Sequence, residues 1–308
     1  MSGPHLVVLG SLNVDLIINV EDLPKSGQTI FSESFIIENG GKGANQAVAA
    51  SRLGATVTMI GRVGVDVFSE QVLTDLRSEA VDVSRITKDL NHSTGIALIT
   101  VDSKSENTIV VSSGANMNCG QVELDFLQDC IVGANCLMLQ NEVPLEINRE
   151  AAKIAQRNNV PVIWDPAPFV GDIDQLIRKV DFLTPNQKEA ELLTNSELKD
   201  LESVHRALLK MKGLTRAICI ITMGPEGLFF LSEDELIHVP SSSVLSVDSV
   251  AAGDAFTAGL AVGISEGLTL SVAAELGSAA GALATTKRGA QISMPSRIEV
   301  DSLMGKTN

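Results

Sequence analysis

The 308-residue chain has no tyrosine, one tryptophan and only 3% aromatic residues, so its core must be filled by aliphatic and small side chains in close contact. Basic residues are also scarce: 23 Lys and Arg against 38 Asp and Glu give a net charge of -15. That balance excludes an extended nucleic-acid surface or a docking face for anionic membranes, and an anionic ligand needs local amides, Lys or Mg²⁺ to be held here. The four cysteines, Cys119, Cys130, Cys136 and Cys219, form no C-x-x-C pair and have no histidine at zinc spacing. Both a metal cluster and a disulfide framework are thereby excluded, and a reduced, cytoplasmic setting is expected. Met1 to His5 carries no basic region, and the apolar run Leu6 to Leu9 has the length of a strand, too short for a signal peptide or a membrane span. A G-x-G-x-x-G fingerprint, an H-E-x-x-H pair and a G-x-S-x-G turn are all missing. The histidines, His5, His92, His205 and His238, have no evident partners and are expected to be incidental.

What is present is an alternation of short apolar runs with helical patterns. Leu6 to Leu9, Thr56 to Ile60, Cys136 to Leu139, Val160 to Trp164, Asp181 to Leu183 and Ala217 to Ile221 read as strands. Ala44 to Leu53, Val67 to Glu79, Glu146 to Arg157 and Glu202 to Met211 carry helical spacing. Unpatterned apolar strands alternating with helices predict an α/β fold, a parallel sheet covered on both faces with ligands at the carboxyl ends of its strands. Two stretches break the rhythm by alternating apolar and polar residues, within about 13–40 and 95–112. They are expected to form a small separate sheet, inserted into a single domain that spans 1–308.

Asp248 and Asp254 flank a small-residue turn, and from Ala252 an apolar 3.6-residue period runs on through Phe256 to Gly263. Asp254 then falls in a first helical turn, where the amides of Ala251, Ala252 and Gly253 have no intrahelical partner and the dipole favours phosphate oxygens. An anion hole beside a carboxylate suits phosphoryl transfer to a hydroxyl, with the carboxylate taking the proton. A capping aspartate is the alternative. Asn13 and Asp15 lie two apart on an extended segment and face the same way, so they can hydrogen-bond adjacent sugar hydroxyls or simply shape a turn. Gly40-Gly41-Lys42-Gly43-Ala44-Asn45-Gln46 opens the next helix but is not a Walker A loop; its glycines would let backbone lie close to a ligand, with Lys42 and Asn45 facing it. Asn186-Gln187-Lys188-Glu189 follows a strand and suits either outer-shell contact with Mg²⁺ or a helix cap. Thr222 and the glycines of Gly224 to Gly227 follow another strand, where a nucleotide could approach or an ordinary turn could form.

Together these stretches closely resemble the ribokinase-like carbohydrate kinase family, also described as phosphofructokinase-B-type. The resemblance covers nearly the whole chain and both family signatures, Gly40 to Ala50 and Asp248 to Phe256, with Asn186 to Glu189 between them. It implies a three-layer α/β/α fold with a central, mostly parallel sheet and a small β-sheet lid that often serves as a dimer interface. The implied reaction is phosphorylation of D-ribose at O5 by ATP, with Mg²⁺ on the nucleotide and K⁺ as activator. By the same resemblance Asp254 is the general base, the Ala251 to Gly253 amides are the anion hole, and Asn13, Asp15, Gly41, Lys42, Asn45 and Glu142 hold the sugar. Asn186, Thr222, Gly224, Gly227 and Ser278 would hold ATP, and Asp248, Val250, Ala284, Lys287, Gly289 and Ser293 a monovalent cation. A kinase for 2-deoxyribose, another sugar or a nucleoside is the alternative within this class. A sugar-binding regulator that kept the fold is the alternative outside it, but binding alone needs none of the proton chemistry that Asp254, Lys42 and the small-residue turn supply.

Overall fold

The computed structural model describes residues 3–32, 34–104, 106–169 and 175–305. β1 (His5–Leu9) leads directly into β2 (Asn13–Asn19) and β3 (Ser34–Gly40), which pair antiparallel in register from Asn13 opposite Gly40 to Asn19 opposite Ser34. α1 (Lys42–Arg52), β4 (Thr56–Gly64), α2 (Val67–Ser78) and β5 (Val81–Asp89) follow, and then β6 (Gly95–Val101) and β7 (Asn107–Ser112). α3 (Gln121–Cys130), β8 (Cys136–Leu139), α4 (Leu145–Arg157), β9 (Val162–Trp164), β10 (Phe182–Leu183), α5 (Gln187–Thr194) and α6 (Leu201–Leu214) continue the alternation. The chain closes with β11 (Ile218–Thr222), β12 (Leu228–Ser232), β13 (Glu235–Val239), α7 (Ala252–Ser265), α8 (Leu270–Ala284) and α9 (Arg297–Leu303).

Nine strands form the main sheet in the order β13-β12-β11-β10-β9-β8-β1-β4-β5, all running the same way except β12, which is antiparallel to both its neighbours. β1 is buried along Leu6 to Leu9, with Leu6 and Val8 packed into one apolar cluster and Val7 and Leu9 into the other, as the two-residue period of a strand requires. The first cluster takes in α1, α2, α7, α8 and α9; the second takes in α3 to α6. Three layers result, with the main sheet in the middle. The shortage of aromatics is answered by close helix contact: a Cβ placed on Gly259 of α7 would stand 2.8 Å from Gly277 Cα of α8.

The remaining four strands make a second sheet, β3-β2-β6-β7, in which β2 and β6 are parallel. It is tied to the main sheet at the start of β6. There the Asp66 carboxylate, which caps α2, also accepts from Thr94 N at 2.7 Å and Thr94 Oγ1 at 2.8 Å.

Several elements lie beyond the sequence-based expectation. β5 sits at the sheet edge, where only one side needs to be apolar, and its polar residues hide it from a search for apolar runs. The β12-β13 hairpin, α3 and α9 are further additions, and β9 starts at Val162 rather than Val160.

Candidate active site

After β1 the chain turns outward through β4 and β5, then returns to β8 on the opposite side of β1. A crevice opens where the strand order reverses, beyond the carboxyl ends of β1 and β8. The segments that leave these ends carry the polar residues: Ser11 to Asn13, Gln140 to Glu142, Asp165 after β9 and Asn186 after β10.

Lys42, Asn45 and Gln46 occupy positions i, i+3 and i+4, so α1 presents all three on one face. That face meets Asp254 in the first turn of α7. Asn45 Nδ2 donates to Asp254 Oδ2 at 2.9 Å, Gln46 Nε2 donates to Oδ1 at 3.2 Å, and Lys42 Nζ stands 4.0 Å from Oδ1. The aspartate is 3% exposed. Asn45 Oδ1 is buried with no hydrogen-bond partner among the described residues. An unpaired buried acceptor costs about 1–3 kcal/mol, a penalty that a hydroxyl donor entering the crevice would remove.

Asn13 opens β2 and Asp15 follows on the same face. Asn116, in the short 3₁₀ turn Gly114–Asn118, accepts from Leu12 N at 2.9 Å and donates through Nδ2 to Asn13 Oδ1 at 2.7 Å. Glu142 Oε2 accepts from Ser11 Oγ at 2.5 Å and from Lys42 N at 2.9 Å. The glycines of this motif also allow close packing of backbone on backbone. Gly41 adopts φ +87°, and a Cβ there would stand 2.7 Å from Asn13 N; one on Gly43 would stand 2.6 Å from Ser11 N. They let the start of α1 press against the β1–β2 backbone at Ser11 to Asn13.

Before α7, Ala251 adopts φ +59°, a left-handed conformation that strains any residue with a Cβ and that is found at sites where function requires it. Ala252 N reaches Ser249 O at 3.3 Å, so one of the three amides read as an anion hole is already shared within the turn. The Ala251 and Gly253 amides have no partner among the described residues.

Asn186 and Glu189 form the capping box of α5, with Glu189 N on Asn186 Oδ1 at 3.0 Å and Asn186 N on Glu189 Oε2 at 2.8 Å. The cap uses one oxygen of each side chain. Asn186 also bridges to Thr222 at the end of β11. Gly224 and Gly227 shape the turn into β12, where a Cβ on Gly227 would strike Val239 O. Ser278 lies partly buried in the middle of α8 and shares no hydrogen bond with these residues among those described. At Asp248, Oδ1 accepts from Val250 N at 3.1 Å and Oδ2 from Gly289 N at 3.2 Å, joining the loop before α7 to the loop after α8. Ala284 ends α8, and buried Ser293 donates to Ala290 O at 2.7 Å. The Lys287 ammonium turns away to Glu299, so only its backbone is directed to this loop.

The crevice is strongly acidic. Burial, together with Glu142, Glu38 and Asp254, pushes the Asp15 carboxyl from 3.8 up to about 7. Burial also raises Asp165, against the pull of Lys42 and with a further push from Asp254 and Glu189. Burial works against the Lys42 charge, but Asp254, Asp165, Glu142 and Glu189 together outweigh it and hold the ammonium firmly protonated. Burial likewise raises Glu189, opposed by the Asn186 amide and Lys42. Between 3.8 and about 7 the folded chain therefore binds more protons at Asp15 than the unfolded chain does. Stability of the free protein should fall as pH rises through that window. Melting temperature is expected to drop by about 2–5 °C between about pH 5 and pH 8, and Asp15→Asn should shrink the drop. Parallel melting curves for the two proteins across that range would rule this out.

Each histidine has a partner that the sequence did not show: His5 meets Thr58, His92 meets Asp89, His205 meets the Asp234 carbonyl and His238 stacks on Phe229. Four residues of the crevice were not singled out from the sequence as site residues: Ser11, Gln46, Asn116 and Asp165. Gln46 was legible as the i+4 partner of Lys42, and Asp165 as an acid at the end of an apolar strand. Nothing in the local sequence marks Asn116.

Comparison with known proteins agrees with this geometry. Residues 4–297 match the model of the pfkB family carbohydrate kinases. The chain is 37% identical to a ribokinase of Haemophilus influenzae over 96% of each protein, and 35% identical to a deoxyribokinase of Salmonella typhi over 82% of each. Among solved structures, that of Arabidopsis thaliana ribokinase complexed with ribose and ATP is 30% identical, with a TM-score of 0.88 over 98% of this chain and 99% of that one. The ribokinase of Thermotoga maritima is 32% identical with the same TM-score, covering 97% and 99%. The three-layer fold, the crevice at its strand ends and these matches over nearly the full length place the chain in the pfkB family of carbohydrate kinases.

Proposed function

We propose that the chain transfers the γ-phosphoryl group of ATP to O5 of D-ribose, giving ribose 5-phosphate. The carrying observation is the buried Asp254 carboxylate in the first turn of α7, gripped by Asn45 and Gln46 and flanked by the free Ala251 and Gly253 amides. In this reading Asp254 takes the hydroxyl proton as the phosphorus–oxygen bond forms. The amides of Ala251, Gly253 and, in its shared state, Ala252 stabilise charge on the moving phosphoryl group. Lys42 adds a fixed positive charge beside the reacting oxygens. Asn13, Asp15, Gly41, Asn45 and Glu142 frame the sugar, and the unpartnered Asn45 Oδ1 fits one of its hydroxyls.

ATP is assigned to the strand ends and turns at Asn186, Thr222, Gly224 and Gly227, with Ser278 towards the adenine. The Arabidopsis thaliana relative solved with ribose and ATP supports the pairing of substrates. Mg²⁺ suits the acidic side of the crevice: the capping box leaves one Glu189 oxygen outside its bonds, able to accept from water on a metal carried by the nucleotide. It would neutralise phosphate charge. K⁺ suits Asp248 with the backbone of Val250, Ala284, Lys287 and Gly289 and the Ser293 hydroxyl, an all-oxygen donor set in two loops that Asp248 already joins. Its charge would fix the turn that carries the Ala251 amide. Rates are accordingly expected to rise with K⁺ and respond poorly to Na⁺, and Asp248→Ala should lose the response while still binding ATP. Equal rates in K⁺-free and K⁺-containing buffer would refute that site.

The chain acts in this reading as one domain over 1–308, with the second sheet as a lid on the sugar. Phe35, Ile37, Leu98 and Val110 share one face of that sheet and are exposed, which suits a homodimer formed lid to lid. No helix among the described residues is long and apolar enough to cross a membrane. The deciding experiment is a coupled assay of ADP release across pentoses, hexoses and nucleosides, with the position of the product phosphate assigned by NMR. Failure to turn over ribose, or phosphate on an oxygen other than O5, would overturn the assignment.

A further inference from the structure

Gln46 is fully buried, and the proposed reaction does not use it directly. Its Nε2 donates to two carboxylates, Asp165 Oδ2 at 3.0 Å and Asp254 Oδ1 at 3.2 Å. Its Oε1 accepts from Gln140 Nε2 at 2.6 Å, and the backbone carbonyl of Gln140 accepts from Asn148 Nδ2 at 2.6 Å. Carboxylates have no hydrogen to give when ionised, so the amide nitrogen has to face them and the oxygen has to face Gln140. The orientation of the Gln46 amide is thus fixed by its partners at three points. Asp165 is itself anchored through Oδ1 by Ala167 N at 3.2 Å.

We propose that Gln46 is a positioning residue for phosphoryl transfer, locking the Asp254 carboxylate in its reactive orientation through a bridge anchored on Asp165 and Gln140. The proposal rests on the reading of Asp254 as the general base. Adjacent residues of α1 reach the two oxygens of that carboxylate, Asn45 on Oδ2 and Gln46 on Oδ1, so rotating it breaks at least one bond. Each oxygen keeps lone-pair capacity for the sugar hydroxyl, and Lys42 Nζ stands 4.0 Å from Oδ1. The neutral amide orients the base without competing for the proton, and it separates two buried acids that would otherwise repel each other.

The test is Gln46→Met, which keeps length and bulk but donates nothing. Its kcat should fall by about 10- to 100-fold, the loss expected for one hydrogen bond to a charged group, with the ribose KM changed by less than about threefold. The same substitution in an Asp254→Asn background should cost less than about twofold more, because the role runs through Asp254. Melting curves and calorimetric ribose binding establish that each variant is folded. Should Gln46→Met not fold, Gln140→Leu, which removes only the anchor on Oε1, must show the same fall in kcat at constant KM. An unchanged kcat in a folded variant, or losses that multiply in the double variant, would overturn the proposal. Near-normal turnover by Asp254→Asn alone would instead overturn the base assignment beneath it, so the two failures are told apart.

Discussion

Asp254→Asn is expected to lower kcat by about 100-fold or more while ribose still binds, because it removes the base and keeps the size of the side chain. The surroundings make this substitution informative. Asn45 Nδ2 and Gln46 Nε2 both donate to the carboxylate, one on each oxygen. An asparagine can accept only one of them and turns its own N–H groups towards the other. The variant should therefore melt somewhat below the wild type as well as turn over slowly, and rates have to be referred to the folded fraction. Ribose affinity, measured by calorimetry, should change far less than kcat, since Asn13, Asp15 and Glu142 remain in place. A folded variant with near-normal kcat would remove Asp254 from the chemistry and leave it as the buried structural partner of Asn45 and Gln46, since it caps no helix end.

The parts of the fold legible in the sequence are those where burial is two-sided. β1 and β8 lie inside the sheet and read as unbroken apolar runs, while edge strand β5 carries Asp82, Ser84 and Lys88 and does not. The two insertions were visible because a half-covered sheet alternates. In the site, residues whose chemistry acts locally were legible: Asp254 in its helix turn, and Asn186 with Glu189, whose i, i+3 spacing is realised as a capping box. Gln46 and Asp165 are 119 positions apart and meet only because α1 and the end of β9 converge on the crevice. Asn116 acts 103 positions from Asn13 and belongs to a turn with no pattern of its own. The glycines of the α1 motif were legible as a place of close approach, but their backbone neighbours were not: Gly41 packs on Asn13 N and Gly43 on Ser11 N, contacts set by the meeting of α1 with the β1–β2 turn.

Ribose should exceed 2-deoxyribose in kcat/KM by about 10- to 100-fold, because a chain of hydrogen bonds starting at one backbone amide fixes the donor that faces the sugar. Leu12 N donates to Asn116 Oδ1, so the nitrogen of that side chain has to face Asn13 and the Asn13 oxygen has to accept it. Asn13 Nδ2 is left as the donor towards the sugar, and Asp15 beside it supplies acceptors. Donor and acceptor together match adjacent hydroxyls. A sugar lacking one of them leaves a buried polar group unpaired, at about 1–3 kcal/mol, which corresponds to that range of discrimination. Asn13→Ala should lower the rate with ribose and narrow the gap between the two sugars, because the group that penalises the deoxy sugar is gone. The comparison is discriminating because both a ribokinase of Haemophilus influenzae and a deoxyribokinase of Salmonella typhi are similar to this chain, at 37% and 35% identity. Competition experiments giving equal or better use of 2-deoxyribose would reassign the sugar while leaving Asp254 and the α7 turn as the phosphoryl-transfer machinery.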